Sequence, residues 1–260
     1  IASFFGDELV VGAFYHGFVL FFLSYLYYSN SNKLIPILFI FSIILISFLI
    51  GERANFIKLF LSVIIFFFLV FKINYKTKIS IILILLISFI SIVNLNKEYK
   101  YRYYNQIKTL FSVNGYFDFM KKSQYGAHRI AAYKIFEENI YFGVGIRNFR
   151  HEVKKDKYED NQYQFTNQRL ATHPHQLHHE FLSETGIIGY ISFLIFIIFW
   201  LIIAIKNYTK TKNLYQLSGI IFVITSLMPL LPSGSFFSTF ASGIFWFNFA
   251  LMIGFNKVKF

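Results

Sequence analysis

Seven long apolar runs, separated by polar segments, dominate the hydrophobic pattern of the chain. They occupy residues 9–28, 35–50, 56–71, 79–95, 187–205, 217–231 and 236–255. A helix needs roughly 20 apolar residues to cross the hydrocarbon core of a bilayer, and most of these runs approach that length. Because only GERAN at residues 51–55 separates the second and third runs, they are predicted to form a hairpin. The pattern predicts an all-α, polytopic helical membrane protein with about seven transmembrane helices.

A long polar stretch between the fourth and fifth runs divides the chain into three parts. We expect transmembrane helices 1–4 in residues 1–95, an extracytoplasmic loop domain in residues 96–186, and transmembrane helices 5–7 in residues 187–260. A structureless loop of that length is unusual, so it should carry helices of its own. Residues 127–139 bear an apolar stripe with helical spacing, which predicts one helix.

Two further features of this loop can be predicted from its residues. Since Pro is favoured in the first turn of a helix, a second helix is expected to begin near Pro174 and to stop near Gly186. Residues 150–167 are charged and lack periodicity, which predicts a mobile excursion.

Composition narrows the class of protein. The chain is 56% hydrophobic and contains no cysteine, which excludes disulfides and thiolate metal sites. It begins with Ile1 rather than Met, and we therefore expect a fragment that lacks N-terminal helices.

The distribution of lysine predicts the orientation in the membrane. If the seven spans alternate, one set of connections carries only lysine and no acidic residue, and the positive-inside rule makes that set cytoplasmic. The lysines are Lys33, Lys72, Lys76, Lys78, Lys206, Lys210, Lys212, Lys257 and Lys259. The net charge of +12 is then partly a topology signal, and no nucleic-acid partner is expected.

The same alternation places every arginine on the outer side. They are Arg53, Arg102, Arg129, Arg147, Arg150 and Arg169. An arginine offers a fork of donors that matches phosphate bidentately, whereas lysine acts as a point charge. Arg53 is notable because it lies in a tight turn between two hydrophobic spans.

The segment THPHQLHHEFLSETG, residues 172–186, concentrates candidate functional side chains: it holds four histidines and two glutamates. On a helix beginning near Pro174, His175, His178 and His179 would share a face, and His173 and His175 would lie at an N-terminus suited to an anion. Histidine suits general-base chemistry near neutral pH. A metal site is a competing interpretation, but HExxH is absent, and we predict no metal and no cofactor.

The remaining histidines have a simpler interpretation. We expect His16, His128 and His151 to be hydrogen-bonded surface or interface residues.

Four short motifs occur in an order that resembles the O-antigen ligase and O-antigen polymerase superfamily of bacterial envelope glycosyltransferases. They are FGDELVVG at residues 5–12, GERANFIKL at 51–59, HRIAAYKIFEENIYFGVGIRNF at 128–149 and HPHQLHHEFLSETGIIGY at 173–190. Gln176 stands where the family more commonly has Asn.

The resemblance implies an activity. Such proteins transfer a glycan from an undecaprenyl-pyrophosphate carrier to an acceptor hydroxyl, at the periplasmic face of the inner membrane, without metal or nucleotide. The acceptor is another lipid-linked glycan for a polymerase and lipid A-core or a protein for a ligase. The FGDE segment slightly favours a polymerase, and the sequence leaves both open.

The resemblance also implies roles for individual residues. Arg53 and Arg129 would bind the donor pyrophosphate, and His175 would act as the general base. The other substrate-binding candidates are His173, Arg147, Gln176 and Glu184. Among these, Glu184 is expected to orient the histidine or to cap the helix.

A different class of function is a non-enzymatic exporter or flippase of lipid-linked saccharides. A transporter should place ionisable residues within its membrane helices. Because only His16 and Lys58 lie within the predicted spans, the sequence favours the enzyme.

The predicted orientation can be tested with topology reporters. Fusions after Lys76 and within residues 150–167 should give opposite signals, because the first follows a lysine-only connection and the second lies in the outer loop. Equal signals from the two fusions would contradict the orientation.

Overall fold

The computed structural model describes residues 11–105, 108, 115–161 and 165–255, and all regular elements in these ranges are helical. The FGDE motif and the lysines after residue 255 lie outside the described residues, as does the side chain of Arg102. The chain divides into two compact units, Ile1–Gly115 and Tyr116–Phe260.

Four long helices build the first unit. They are α1 (Val11–Ser29), α2 (Leu34–Ile50), α3 (Arg53–Val70) and α4 (Tyr75–Leu95). Each covers one of the first four predicted spans. The predicted hairpin between α2 and α3 is present, and its turn depends on Gly51. Gly51 has φ 83°, and its N–H donates a hydrogen bond to Phe48 O at 3.1 Å. Helices commonly end with a residue in this left-handed conformation, which favours glycine.

Helices α1, α2 and α3 pack against one another around an apolar core that includes Leu20, Leu23, Leu59 and Phe66. The polar contacts inside this core include one between His16 Nε2 and Ser62 Oγ at 3.1 Å. Helix α4 is covered far less, since Phe89 and Lys78 are its only buried residues among those described. Its exposed apolar surface is typical of a helix that faces lipid.

Among the described residues, the second unit has one long apolar helix, two shorter ones and a small helical loop region. After α5 (Gly115–Lys122) come α6 (Gln124–Glu138), α7 (Phe149–Glu152), α8 (Leu177–Thr211), α9 (Leu214–Ser226) and α10 (Thr239–Gly254). Helix α6 confirms the helix predicted at residues 127–139. It begins slightly earlier because Ser123 caps it, accepting a hydrogen bond from Gly126 N at 3.0 Å.

Helix α8 is broken at Gly186, where φ 65° and ψ −172° are not helical. The break coincides with the predicted stop of the second loop helix and with the start of the fifth apolar run. A Cβ at Gly186 would overlap the backbone of Tyr141 and Phe142, and a Cβ at Gly143 would overlap the backbone of Glu184 and Thr185. Two backbones therefore meet at a distance that only glycine allows.

The number of membrane spans is only partly supported by helix length. All seven predicted spans correspond to helices, but four described helices, α1, α3, α4 and α8, are long and apolar enough to cross a bilayer. The other apolar helices, α2, α9 and α10, are shorter. The protein is therefore all-helical with four candidate spans among the described residues.

The prediction of a mobile excursion at residues 150–167 is wrong for the described part of that segment. Phe149, Val153 and Tyr158 are buried and pack with Ala131 and Ile135 of α6. The sequence did not predict this packing, because the three buried apolar side chains are irregularly spaced and the residues between them are mostly charged. Tyr158 also donates a hydrogen bond to Glu138 Oε2 at 2.7 Å.

The glycine contact at the break in α8 gives a test of the fold. Gly186→Ala should destabilise the protein by more than about 2 kcal/mol, because it forces a Cβ into a backbone region that is essentially restricted to glycine. The matched control is Gly243→Ala in α10, where an added Cβ meets nothing within 4 Å. That change should be neutral or stabilise by roughly 0.5–1 kcal/mol. Thermal unfolding in detergent measures both, and equal effects would contradict the contact.

Candidate functional site

His173 and His175 precede α8, whereas His178 and His179 lie in its first turn. Gln176 is extended and caps the helix, because its Oε1 accepts a hydrogen bond from His179 N at 2.9 Å. His175, with φ 53°, has left-handed backbone geometry. The predicted helix start at Pro174 is therefore wrong, and His175 does not share a helix face with His178 and His179. Proline is favoured in the first turn of a helix, which predicted a start near residue 174. The cap by the Gln176 side chain instead makes the helix begin three residues later, at residue 177.

Three imidazole rings form a cluster in this loop. The ring of His175 lies 4.0 Å from that of His173 and 4.9 Å from that of His128, measured between centroids. Tyr125 packs its edge toward His175 at 5.9 Å. Sequence reasoning missed His128, which was expected to be a hydrogen-bonded surface or interface residue but is buried on α6 within this cluster.

The hydrogen bonds of the cluster leave nitrogen atoms available. His128 Nε2 lies 2.7 Å from the carbonyl of Gln168, and since a carbonyl only accepts, Nε2 carries the proton. His128 Nδ1 is then an acceptor that is buried without a partner among the described residues. The Nε2 atom of His173 is also buried without a well-formed hydrogen bond, although the backbone of Ser233 lies close to it.

Burial keeps the imidazoles uncharged at neutral pH. Burial, together with the neighbouring His173 and His128, lowers the pKa of His175 to about 3. Burial likewise lowers the pKa of His173 to about 4, together with His128 and the charge of Arg150. Both rings therefore carry one nitrogen lone pair without a proton at pH 7.

Two arginines accompany the cluster. Arg129 follows His128 on α6, is buried, and donates from Nη2 to the carbonyl of Leu230 at 3.1 Å. Arg150 on α7 acts electrostatically on His173, and its Nε atom is buried without a partner among the described residues. Sequence reasoning gave Arg150 no specific role, because its position next to the histidines depends on the packing of α7.

Glu184 positions the segment that carries Arg150. Its buried carboxylate accepts hydrogen bonds from Arg147 N at 2.6 Å and from Phe149 N at 3.1 Å. The side chain of Arg147 is exposed, and its backbone has φ 63°. Glu184 therefore contacts backbone at the start of α7.

The loop between α9 and α10, residues 227–238, closes over the other side of the histidine segment. Gln176 Nε2 donates to Pro229 O at 2.9 Å, and Ser233 N donates to His175 O at 3.0 Å. The buried carboxylate of Glu180 accepts hydrogen bonds from the hydroxyl of Ser235 and, at 2.7 Å, from Phe236 N.

Sequence reasoning missed Glu180 as a member of the site. The residues that it binds lie more than 50 positions away along the chain.

Six of the predicted site residues belong to the second unit and one belongs to the first. His173, His175, Arg129, Gln176 and Glu184 lie in the second unit around one loop cluster. Arg147 lies near this cluster, next to α7. Arg53 begins α3 and belongs to the first unit. Among the described residues, no group of three or more His, Cys, Asp or Glu is placed to hold a metal ion.

Comparison with known proteins gives one match. Residues 37–194 match the protein family described as O-antigen ligase, a range that covers more than half of the chain and includes the histidine segment. No curated protein and no solved structure matches the chain.

The hydrogen bonds of Glu180 lead to a prediction. Glu180→Ala should leave Phe236 N–H and the Ser235 hydroxyl without their buried acceptor, which typically costs about 1–3 kcal/mol. We expect a lower unfolding temperature and faster hydrogen exchange at the Phe236 amide. The control is Asp118→Ala, which removes an exposed ion pair with Lys122 at 3.5 Å and should cost at most about 1 kcal/mol. Unchanged exchange at Phe236 in Glu180→Ala would contradict the contact.

Proposed function

The chain belongs to the O-antigen ligase family, and from that premise we propose that it transfers a glycan from a lipid-linked pyrophosphate donor to an acceptor hydroxyl. Family membership implies a glycosyltransferase-like membrane enzyme. The finer proposal is a donor of undecaprenyl pyrophosphate bearing a glycan, used at the periplasmic face of a bacterial inner membrane. The observation that carries it is a cluster of neutral histidines beside two arginines at a helix start.

His175 is the proposed general base. Its ring packs against those of His173 and His128, and the low pKa keeps it unprotonated. In the proposed step the acceptor oxygen forms a bond to the anomeric carbon while His175 takes the hydroxyl proton. The bond from the anomeric carbon to the phosphate oxygen breaks, and the carrier pyrophosphate leaves with that electron pair.

Arginine side chains are the proposed partners of the pyrophosphate. A pyrophosphate leaving group gains negative charge as the bond breaks, and fixed cations stabilise that charge. We propose Arg129 and Arg150 for this role in the second unit, where Arg150 acts on His173. An arriving anion would also raise the pKa of the nearby histidines, so His175 would become a stronger base only when donor is bound.

The remaining predicted residues have supporting roles in this proposal. His173 and Arg147 are proposed to contact substrate. Gln176 and Glu184 are proposed to position other residues rather than to contact substrate. Their side chains accept hydrogen bonds from the backbone at the start of α8 and from the backbone before α7. Arg53 as a donor-binding residue stays a prediction.

The acceptor is not specified by these residues. A second lipid-linked glycan would make the protein a polymerase, and lipid A-core or a protein would make it a ligase. The chemistry at His175 is the same for each acceptor, since all present a sugar or protein hydroxyl.

An exporter or flippase remains the alternative, and the polar pair in the first unit is the observation that favours it. His16 and Ser62 form a hydrogen bond between membrane helices, a feature that often marks a transport pathway. If this alternative were correct, His16→Ala would stop saccharide translocation, whereas His175→Ala would leave it intact.

The central test is His175→Ala. Loss of a general base typically lowers the rate by about 10²–10⁴-fold, and donor binding should be largely retained. The matched control is His151→Ala, an exposed histidine in the same unit, which should keep near-full activity. The assay uses purified protein and lipid-linked donor, so that lost export cannot imitate lost chemistry. Full activity of His175→Ala would contradict the role.

A chelator such as EDTA should leave the rate of glycan transfer unchanged, and chelator-sensitive activity would favour the metal interpretation.

The pH dependence gives a second test. Because the pKa of His175 is lowered to about 3 and that of His173 to about 4, kcat/KM should stay flat between pH 7 and pH 5. Both histidines titrate normally when unfolded, so the unfolded chain binds more protons below about pH 6.5. Thermal stability should therefore fall as the pH is lowered through this range. A kcat/KM that halves near pH 6.5, per folded molecule, would contradict the burial of the base.

A further inference from the structure

A turn between α6 and α7 presents large apolar side chains to its surroundings. This turn, residues 140–146, is called the aromatic turn below. Tyr141 is 68% exposed, Phe142 76% and Ile146 59%. A contiguous apolar surface of this kind is unusual on a water-facing loop and indicates a contact with a partner or a membrane.

Backbone hydrogen bonds fix the aromatic turn to the break in α8. Ile187 N donates to Ile140 O at 2.7 Å, and Ile188 N donates to Tyr141 O at 3.3 Å. On the other side of the break, Val144 N donates to Ser183 O at 3.0 Å. The close approach of Gly143 and Gly186 completes this contact. The turn therefore has a defined place along α8.

That place is the start of the apolar run of α8. Beyond Gly186 the helix exposes Ile188, Ile191 and Ile195 at 48%, 44% and 63%. This helix is long and apolar enough to cross a bilayer, so these side chains face lipid. The aromatic turn lies beside the start of this run, because the carbonyls of Ile140 and Tyr141 accept hydrogen bonds from Ile187 N and Ile188 N.

We propose that the aromatic turn inserts into the interface of the lipid bilayer and fixes the depth of the histidine loop. Tyrosine and other aromatic side chains favour the headgroup level, where an apolar ring and a polar group are both accommodated. Arg147 follows the turn directly, is exposed, and can bind lipid phosphate. Because Glu184 bonds Arg147 N and Phe149 N, the depth of the turn also sets the depth of α7 and its Arg150.

The absence of cysteine allows a direct test. A nitroxide label on Phe142→Cys replaces an exposed side chain and removes no core packing. A label on Ile195→Cys serves as the lipid reference, and a label on Asp156→Cys, exposed in the charged segment before Tyr158, serves as the aqueous reference. Each protein is reconstituted at one copy per nanodisc of phosphatidylethanolamine and phosphatidylglycerol. Collision of the label with oxygen and with a water-soluble nickel chelate is then measured.

The expected ratio of oxygen to nickel collisions at position 142 is severalfold above that at position 156 and below that at position 195, which lies deeper in the apolar run of α8. A ratio equal to that at position 156 would show a water-facing turn and overturn the proposal. Low collision with both reagents would show that the turn is covered by protein, which would also overturn it. Unfolding temperatures equal to that of the unlabelled protein confirm that each labelled chain is folded. The readout is independent of glycan transfer, so its failure would leave the proposed activity untouched.

Discussion

Two buried carboxylates on one stretch of α8 require hydrogen-bond donors, and the donors that they bind determine the geometry of the second unit. An ionised or polar group taken out of water is costly unless it is bonded. Glu184 binds the backbone N–H groups of Arg147 and Phe149, and Glu180 binds Phe236 N and the Ser235 hydroxyl. Two loops that are distant in the chain are thereby held against the same helix start.

The histidine loop lies between these two anchored loops, which explains its electrostatics. The cap by Gln176 makes α8 begin at residue 177 and leaves His173 and His175 in a loop with restricted access to water. Desolvation then lowers the pKa of both rings. In the proposed function, an arriving pyrophosphate would raise these lowered pKa values, because an anion favours the charged form of a nearby imidazole.

The glycine contact between Gly143 and Gly186 connects this chemistry to the membrane. At Gly186 the direction of α8 changes, with a polar, carboxylate-bearing turn on one side and a lipid-facing run on the other. The aromatic turn is bonded to both sides of that point. A single backbone contact therefore relates the position of the histidines to the level at which the apolar helix begins.

The sequence by itself determined the membrane class, the positions of the apolar helices, the hairpin at Gly51 and the break near Gly186. These features follow from local rules: the period and length of apolar runs, and the backbone freedom of glycine. The density of histidine at residues 173–179 also pointed to the site without any structure.

Only the tertiary structure decided which side chains surround His175 and where α8 begins. The N-cap of α8 is the side-chain amide of Gln176, and glutamine is not among the residue types preferred at helix N-caps. His128 and Arg150 enter the site through the packing of α6 and α7, and Glu180 through a loop more than 50 residues away. Side chains buried by distant segments carry no local pattern, because the free energy that positions them comes from contacts between elements rather than from propensities within one.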